Sequence, residues 1–142
     1  MMEQLWNYKA AFQKAYTKSI EPVCEAYHLT RTELDILLFL ANNSLFDTAT
    51  DIVEKKGISK SHVSESIKSL EARGYLIRSY RNNNRRTIHL SLCEKADEII
   101  LMGRQGQKLF AETMIKGFSE DDLKKMQEFM ERMKRNLEEY VR

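Results

Sequence analysis

Ser59-Lys60-Ser61-His62-Val63-Ser64-Glu65-Ser66-Ile67-Lys68-Ser69-Leu70-Glu71-Ala72-Arg73-Gly74 is the stretch on which the reading of this chain turns. Its apolar residues Val63, Ile67 and Leu70 recur at the spacing of one helical face. Ser59 is placed to cap the helix and Gly74 to stop it. The opposite face offers Lys60, Ser61, His62, Ser64, Glu65 and Lys68, hydrogen-bonding groups without apolar bulk. Serine is a poor interior helix former, so serines at 59, 61, 64 and 66 argue for something beyond stability.

Outward from this helix the pattern changes. On the C-terminal side, Leu76-Ile77-Arg78-Ser79-Tyr80 reads as a strand and Arg81-Asn82-Asn83-Asn84-Arg85-Arg86 as a polar turn. Thr87–Leu92 then alternates, with Ile88, Leu90 and Leu92 inward. On the N-terminal side, Asp47 or Thr48 opens a short helix through Lys55, stopped by Gly57. Before it, Thr30-Arg31-Thr32-Glu33 has capping-box spacing and leads a nearly all-apolar helix that ends at Asn42-Asn43.

The chain ends differ from this middle. From Leu5 to about Tyr27 apolar residues step by three and four, predicting an amphipathic helix with a kink near 18–22 at Pro22. Residues 94–116 predict another, with Ile99, Met102, Leu109 and Phe110 on its apolar side. Ser119 caps the last helix, whose Leu123, Met126, Met130, Met133, Leu137 and Tyr140 step by 3, 4, 3, 4, 3, a heptad seam long enough to want a partner. No repeat, linker or low-complexity stretch interrupts the 142 residues, which suit one domain.

Charge is distributed unevenly. Residues 47–95 carry ten Lys/Arg against six Asp/Glu, while the rest carries thirteen against fifteen, so a basic centre lies between acidic ends although the net charge is only +2. That arrangement suits a polyanion-binding centre held by flanking elements. The longest apolar run, Ile36–Ala41, is too short to span a membrane, and Met1–Trp6 lacks a signal-peptide pattern. The expectation is a soluble, cytoplasmic protein whose two cysteines, Cys24 and Cys93, are free thiols.

Helix, short turn, helix and two-stranded hairpin is the order of a winged helix-turn-helix. Its chemistry fits DNA: Ser59, Lys60, Ser61, His62, Ser64 and Lys68 can approach base edges and phosphates. Arg81, Arg85 and Arg86 on an extended finger can enter a minor groove. A solvated helix face and a solvated loop are the plain alternatives for the two pieces taken singly.

Residues 58–96 resemble the recognition helix and wing of the MarR family. The family's wing pattern is Asp-x-Arg, an apolar strand and Leu-Thr-x-x-Gly; here Asn84 stands in the Asp position, Arg86 in the Arg position, Cys93 in the Thr position and Ala96 in the Gly position. Leu29-Thr30 before an apolar helix also matches. The resemblance implies a mainly α fold with a small β-hairpin wing: a winged helix-turn-helix lobe over about 30–94, with dimerisation helices over about 1–28 and 95–142. It implies a transcription regulator, commonly a repressor, that binds a palindromic operator in double-stranded DNA as a homodimer through Leu5, Phe12, Met126, Met130, Met133 and Leu137. A small-molecule effector pocket between the dimerisation and DNA-binding parts often accompanies this plan. Asn84 lacks the carboxylate that would orient the wing arginine, and Cys93 is a weaker helix cap than Thr.

Other chemistry is poorly represented. Cys24 and His28 share a helix face at metal-ligand spacing, but two ligands do not close a site, and no metal or cofactor is expected. Cys24 as an oxidant sensor would need a low-pKa, accessible thiol, and only His28 lies near to supply charge. A buried structural cysteine is the simpler reading. Trp6, Tyr8, Phe12, Tyr16 and Tyr27 could line an effector pocket or form dimer core. No nucleophile–base pair, phosphate-binding Gly loop or metal triad is visible, so an enzyme is not expected. A winged-helix protein-interaction module is the remaining rival, against which the arginine-rich hairpin argues.

Overall fold

A computed structural model describes all 142 residues. The order is α1 (Met2–Tyr27), α2 (Arg31–Asn42), α3 (Ala49–Lys56), α4 (Lys60–Ala72), β1 (Leu76–Arg81), β2 (Asn84–Leu92), a 3-10 turn at Glu94–Ala96, α5 (Asp97–Met114) and α6 (Glu120–Tyr140). Backbone contacts divide the chain into Met1–Lys108 and Leu109–Arg142. No helix is long and apolar enough to cross a membrane.

The first unit is a winged helix. Its core is built around α2, where Leu34, Ile36, Leu37 and Leu38 are buried, as the apolar run foretells. Ile52 of α3, Val63, Ile67 and Leu70 of α4, and Leu76 and Leu90 of the hairpin close the core from one side. Ile20, Val23, Ile99 and Ile100 complete it. Local chemistry sets the helix starts. Thr30 accepts from Glu33 N while Glu33 accepts from Thr30 N, and Thr48 and Asp51 make the same reciprocal pair. The second box decides between the two expected openings of α3 in favour of Thr48.

Several expectations need correction. Helix α1 begins at Met2 and runs unbroken through Pro22. Proline removes one backbone bond, and Ile20 and Val23 beside it are buried. The apolar face of α5 holds in part: Ile99 is buried and Met102 and Phe110 are half-buried as expected, but Leu109 is 60% exposed, and Ile100 and Gly103 are buried as well. Two glycines let α5 approach its neighbours closely. A Cβ on Gly103 would lie 2.7 Å from Leu38 Cδ2, and one on Gly106 would lie 2.6 Å from the Ser19 carbonyl oxygen.

The hairpin also differs in detail. Both strands reach further than expected, and only Asn82 and Asn83, with φ of 53° and 57°, form the turn. A two-residue turn with both residues left-handed matches the twist of the flanking strands, which is why it displaces a three-Asn loop. Pairing runs regularly from Leu76↔Leu92 to Ser79↔His89, then shifts, resuming at Arg81↔Asn84. Arg85–Ile88 therefore lie opposite Tyr80 alone. On its other edge β2 meets a one-residue bridge, Thr48↔His89.

The second unit holds the end of α5, a turn through Gly117, and α6. Ser119 and Asp122 form a capping box there. No residue of α6 is buried. Of its heptad seam, Leu123 and Met126 are half-buried, and Met130, Met133, Leu137 and Tyr140 are exposed.

Candidate nucleic-acid interface

Helix α4 is fixed from beneath by its apolar face and from its ends by polar contacts. Ser59 Oγ accepts from His62 N at 3.3 Å, capping the start. Ser69, on the inner side, donates to the buried Glu33 carboxylate at 2.7 Å. Burial works to raise the Glu33 pKa, but hydrogen bonds from Thr30 N–H and the Ser69 hydroxyl outweigh it, with help from the Arg73 charge. They hold the carboxyl below the ordinary carboxylate value. At the other end Arg73 donates to the His28 carbonyl at 2.9 Å, and Lys95 donates to the Arg73 carbonyl at 2.6 Å.

Glu71 joins α4 to the hairpin. Its carboxylate accepts from Arg78 Nη2 at 2.9 Å, from Nε at 3.1 Å and from the Arg78 backbone N–H at 3.2 Å. The Arg78 hydrogen bond is the main reason the Glu71 carboxyl sits below its usual pKa. Held this way, α4 leaves Ser59, Lys60, Ser61, His62, Ser64 and Lys68 all exposed.

The three hairpin arginines are exposed, yet they are not alike. Arg85 leans over the Tyr80 ring at 5.8 Å. The Asn84 side chain accepts from Arg86 N at 2.9 Å and donates to Thr87 Oγ1 at 3.2 Å. The amide thus shapes the backbone that carries Arg86, where a carboxylate would have held its side chain. Arg81 is already engaged, its Nη2 lying 2.9 Å from Asp47 Oδ2. Asp47, Glu71 and Arg78 were missed as site-shaping residues, because their partners become visible only once the hairpin is docked on α4.

The remaining expected site residues fall elsewhere. Leu5 and Phe12 of α1 are exposed, as are Met130, Met133 and Leu137 of α6, with Met126 half-buried. The Cys24 thiol is half-buried, and burial, followed by the nearby Asp35 charge, pushes its pKa up, the wrong direction for a reactive thiolate. His28 leaves the helix face it was expected to share, adopting the left-handed cap position at φ 53°. Cys93 sits at the start of the 3-10 turn and makes no side-chain cap, as expected of a thiol. A cleft of about 320 Å³ opens among α3, α4 and the hairpin, lined by Ala49, Val53, Val63, Ile67, Arg78 and Ile88, among others.

The MarR family model matches residues 27–86, most of this lobe. Those residues run from the end of α1 into β2 and are similar to the MarR family. The MarR likeness extends to solved structures of nearly the same length. The chain is similar to a MarR family transcriptional regulator from Listeria monocytogenes complexed with 26mer DNA, with 18% identity, TM-score 0.78, and coverage of 94% of this chain and 87% of that one. It is similar to a MarR transcriptional regulator from Methanosarcina mazei Go1, with 17% identity, TM-score 0.78, and coverage of 97% and 99%. It is also similar to Staphylococcus aureus MarR in complex with salicylate and kanamycin, with 17% identity, TM-score 0.75, and coverage of 97% and 93%. No curated protein matches the chain in sequence.

Proposed function

We propose that this protein is a cytoplasmic, sequence-specific transcription regulator, acting as a repressor, that binds a palindromic operator as a homodimer. One observation carries the reading. Within a single MarR-type lobe, a capped helix with an uncovered hydrogen-bonding face is followed by a hairpin with exposed Arg85 and Arg86. In this reading α4 lies in the major groove, with Ser61, His62 and Ser64 at base edges and Ser59, Lys60 and Lys68 at phosphates. The hairpin reaches the minor groove. The Listeria structure holds DNA, which supports the same use of the fold here.

The residues of 1–142 act as one dimerising domain in this proposal. The apolar faces of α1 and α6 supply the two-fold interface, because a soluble monomer would not leave such faces open. An effector releases the DNA. The Staphylococcus relative in complex with salicylate supports small-molecule control; the cleft among α3, α4 and the hairpin is of a size for a small ligand, although it lies within the winged lobe and not between that lobe and the dimerisation helices. Binding of the chain to a random-sequence duplex library, with rounds of selection at rising salt, tests the whole reading. An enriched palindrome is the expected result. Failure to retain any duplex even at low salt would overturn it in favour of a protein-interaction module.

A further inference from the structure

The residue before the α3 cap makes contacts that the operator-binding reading does not use. Asp47 touches the hairpin with both its backbone and its side chain. Its carbonyl accepts from Leu90 N at 2.8 Å, next to the Thr48↔His89 bridge. Its carboxylate is shared between the strands: Oδ2 lies 2.9 Å from Arg81 Nη2 on β1, and Oδ1 lies 3.0 Å from His89 Nδ1 on β2. These two residues flank the irregular stretch of the hairpin. Regular pairing ends at Ser79↔His89 and resumes at Arg81↔Asn84.

Between those points Arg85 and Arg86 lack a regular ladder to hold them, and the Asp47 carboxylate grips the hairpin on both sides of the gap. We infer that Asp47 is a positioning residue for the wing, using Arg81 and His89 as clamp points, while Arg85 and Arg86 meet the DNA backbone. The inference rests on the operator-binding reading and divides the hairpin's labour within it. Electrostatics points the same way. Arg81 and Asp47 form a pair whose charges cancel at 2.9 Å. Such a pair releases no counterion from DNA, whereas a free arginine at a phosphate does. Were Arg81 to move to a phosphate, it would leave the Asp47 carboxylate with His89 as its remaining side-chain partner, beside a polyanion.

The test compares the wild type with Asp47→Asn, the charge-neutral double variant Asp47→Asn/Arg81→Gln, Arg81→Lys, Arg81→Gln and Arg85→Gln. The probe is a labelled duplex selected by the wild type from a random library. The double variant is expected to bind about fivefold more weakly, the scale of one partly exposed ion pair, with an unchanged salt slope. Arg85→Gln is expected to lower that slope by about 0.9. Arg81→Lys, which keeps the charge, restores affinity relative to Arg81→Gln. In the free protein, amide exchange at residues 82–90 rises in the double variant while exchange in α2 stays slow, so local loosening is separated from unfolding.

A fall in slope for the double variant equal to that of Arg85→Gln would overturn the inference. So would tighter binding by Asp47→Asn alone, because Asp47 would then be withholding Arg81 from DNA. If the wild type selects no duplex, the operator reading fails, and hairpin exchange in the double variant still decides whether the clamp exists.

Discussion

Ser69 Oγ donates to Glu33 Oε2 at 2.7 Å, tying α4 to the first turn of α2. The two residues are 36 positions apart, and Glu33 also closes the Thr30 capping box. One buried carboxylate therefore secures a helix start and the depth at which α4 sits.

Acid should expose that dependence. Folding lowers the Glu33 pKa, so its stabilisation is complete above the unfolded value and is lost as pH falls through the folded one. Ser69→Ala should destabilise by about 1–3 kcal/mol at neutral pH, and by less in acid, where protonated Glu33 needs the hydroxyl less. Urea melts at neutral and acidic pH measure both values. An equal cost at both would mean that Ser69 does not act through the charge.

Gly106 and Gly103 predict an ordered pair of stability effects. A methyl group on Gly106 meets a backbone carbonyl, which cannot move without shifting α1, whereas one on Gly103 meets the buried side chain of Leu38, which can give by a rotamer change within the core. Alanine favours a helix over glycine by about 1 kcal/mol, while overpacking costs about 1–3 kcal/mol. Both changes should destabilise, Gly106→Ala more than Gly103→Ala. Thermal melts that reverse the order would show that α1 yields more easily than a leucine side chain.

Base readout makes a separate claim. Ser61→Ala, His62→Ala and Ser64→Ala should change which sequences bind more than they change stability, since all three side chains are exposed. A real base contact should cost about 1–3 kcal/mol of discrimination. Competition between operator and mixed-sequence DNA is the measurement. Equal losses on both would reassign these residues to phosphates.

Features governed by neighbours in sequence were legible without a structure. The Thr30 and Ser119 caps, the Gly57 stop and the α4 apolar face all follow from spacings of three or four residues. What stayed hidden depends on distant partners. Asp47 reads only as a possible cap until its contacts 34 and 42 residues away, Arg81 and His89, are known. On α5, Ile99, Met102 and Phe110 follow the apolar spacing, whereas the burial of Gly103 depends on the close approach of Leu38, a residue of α2. Which two of the three asparagines turn the hairpin is decided by strand register, and the pattern of alternation stops before the tip.

The dimer prediction carries the regulatory mechanism. Helix α6 leaves Met130, Met133, Leu137 and Tyr140 exposed along one seam, and no residue of that helix is buried. Burial of such side chains is worth about 1.5–3 kcal/mol each, so leaving the seam in water is a strong drive toward a partner. A two-fold partner places two α4 helices about one DNA turn apart, roughly 10 base pairs centre to centre. Met130→Asp and Leu137→Asp should each disrupt the pair, because an unpaired carboxylate in an apolar interface is costly to desolvate. Operator binding should then fall while the winged lobe, with its separate core, keeps its fold. Sedimentation and circular dichroism on the same samples separate the two effects. A monomer at micromolar concentration that still bound a palindrome tightly would overturn both the dimer and any control exerted through its spacing.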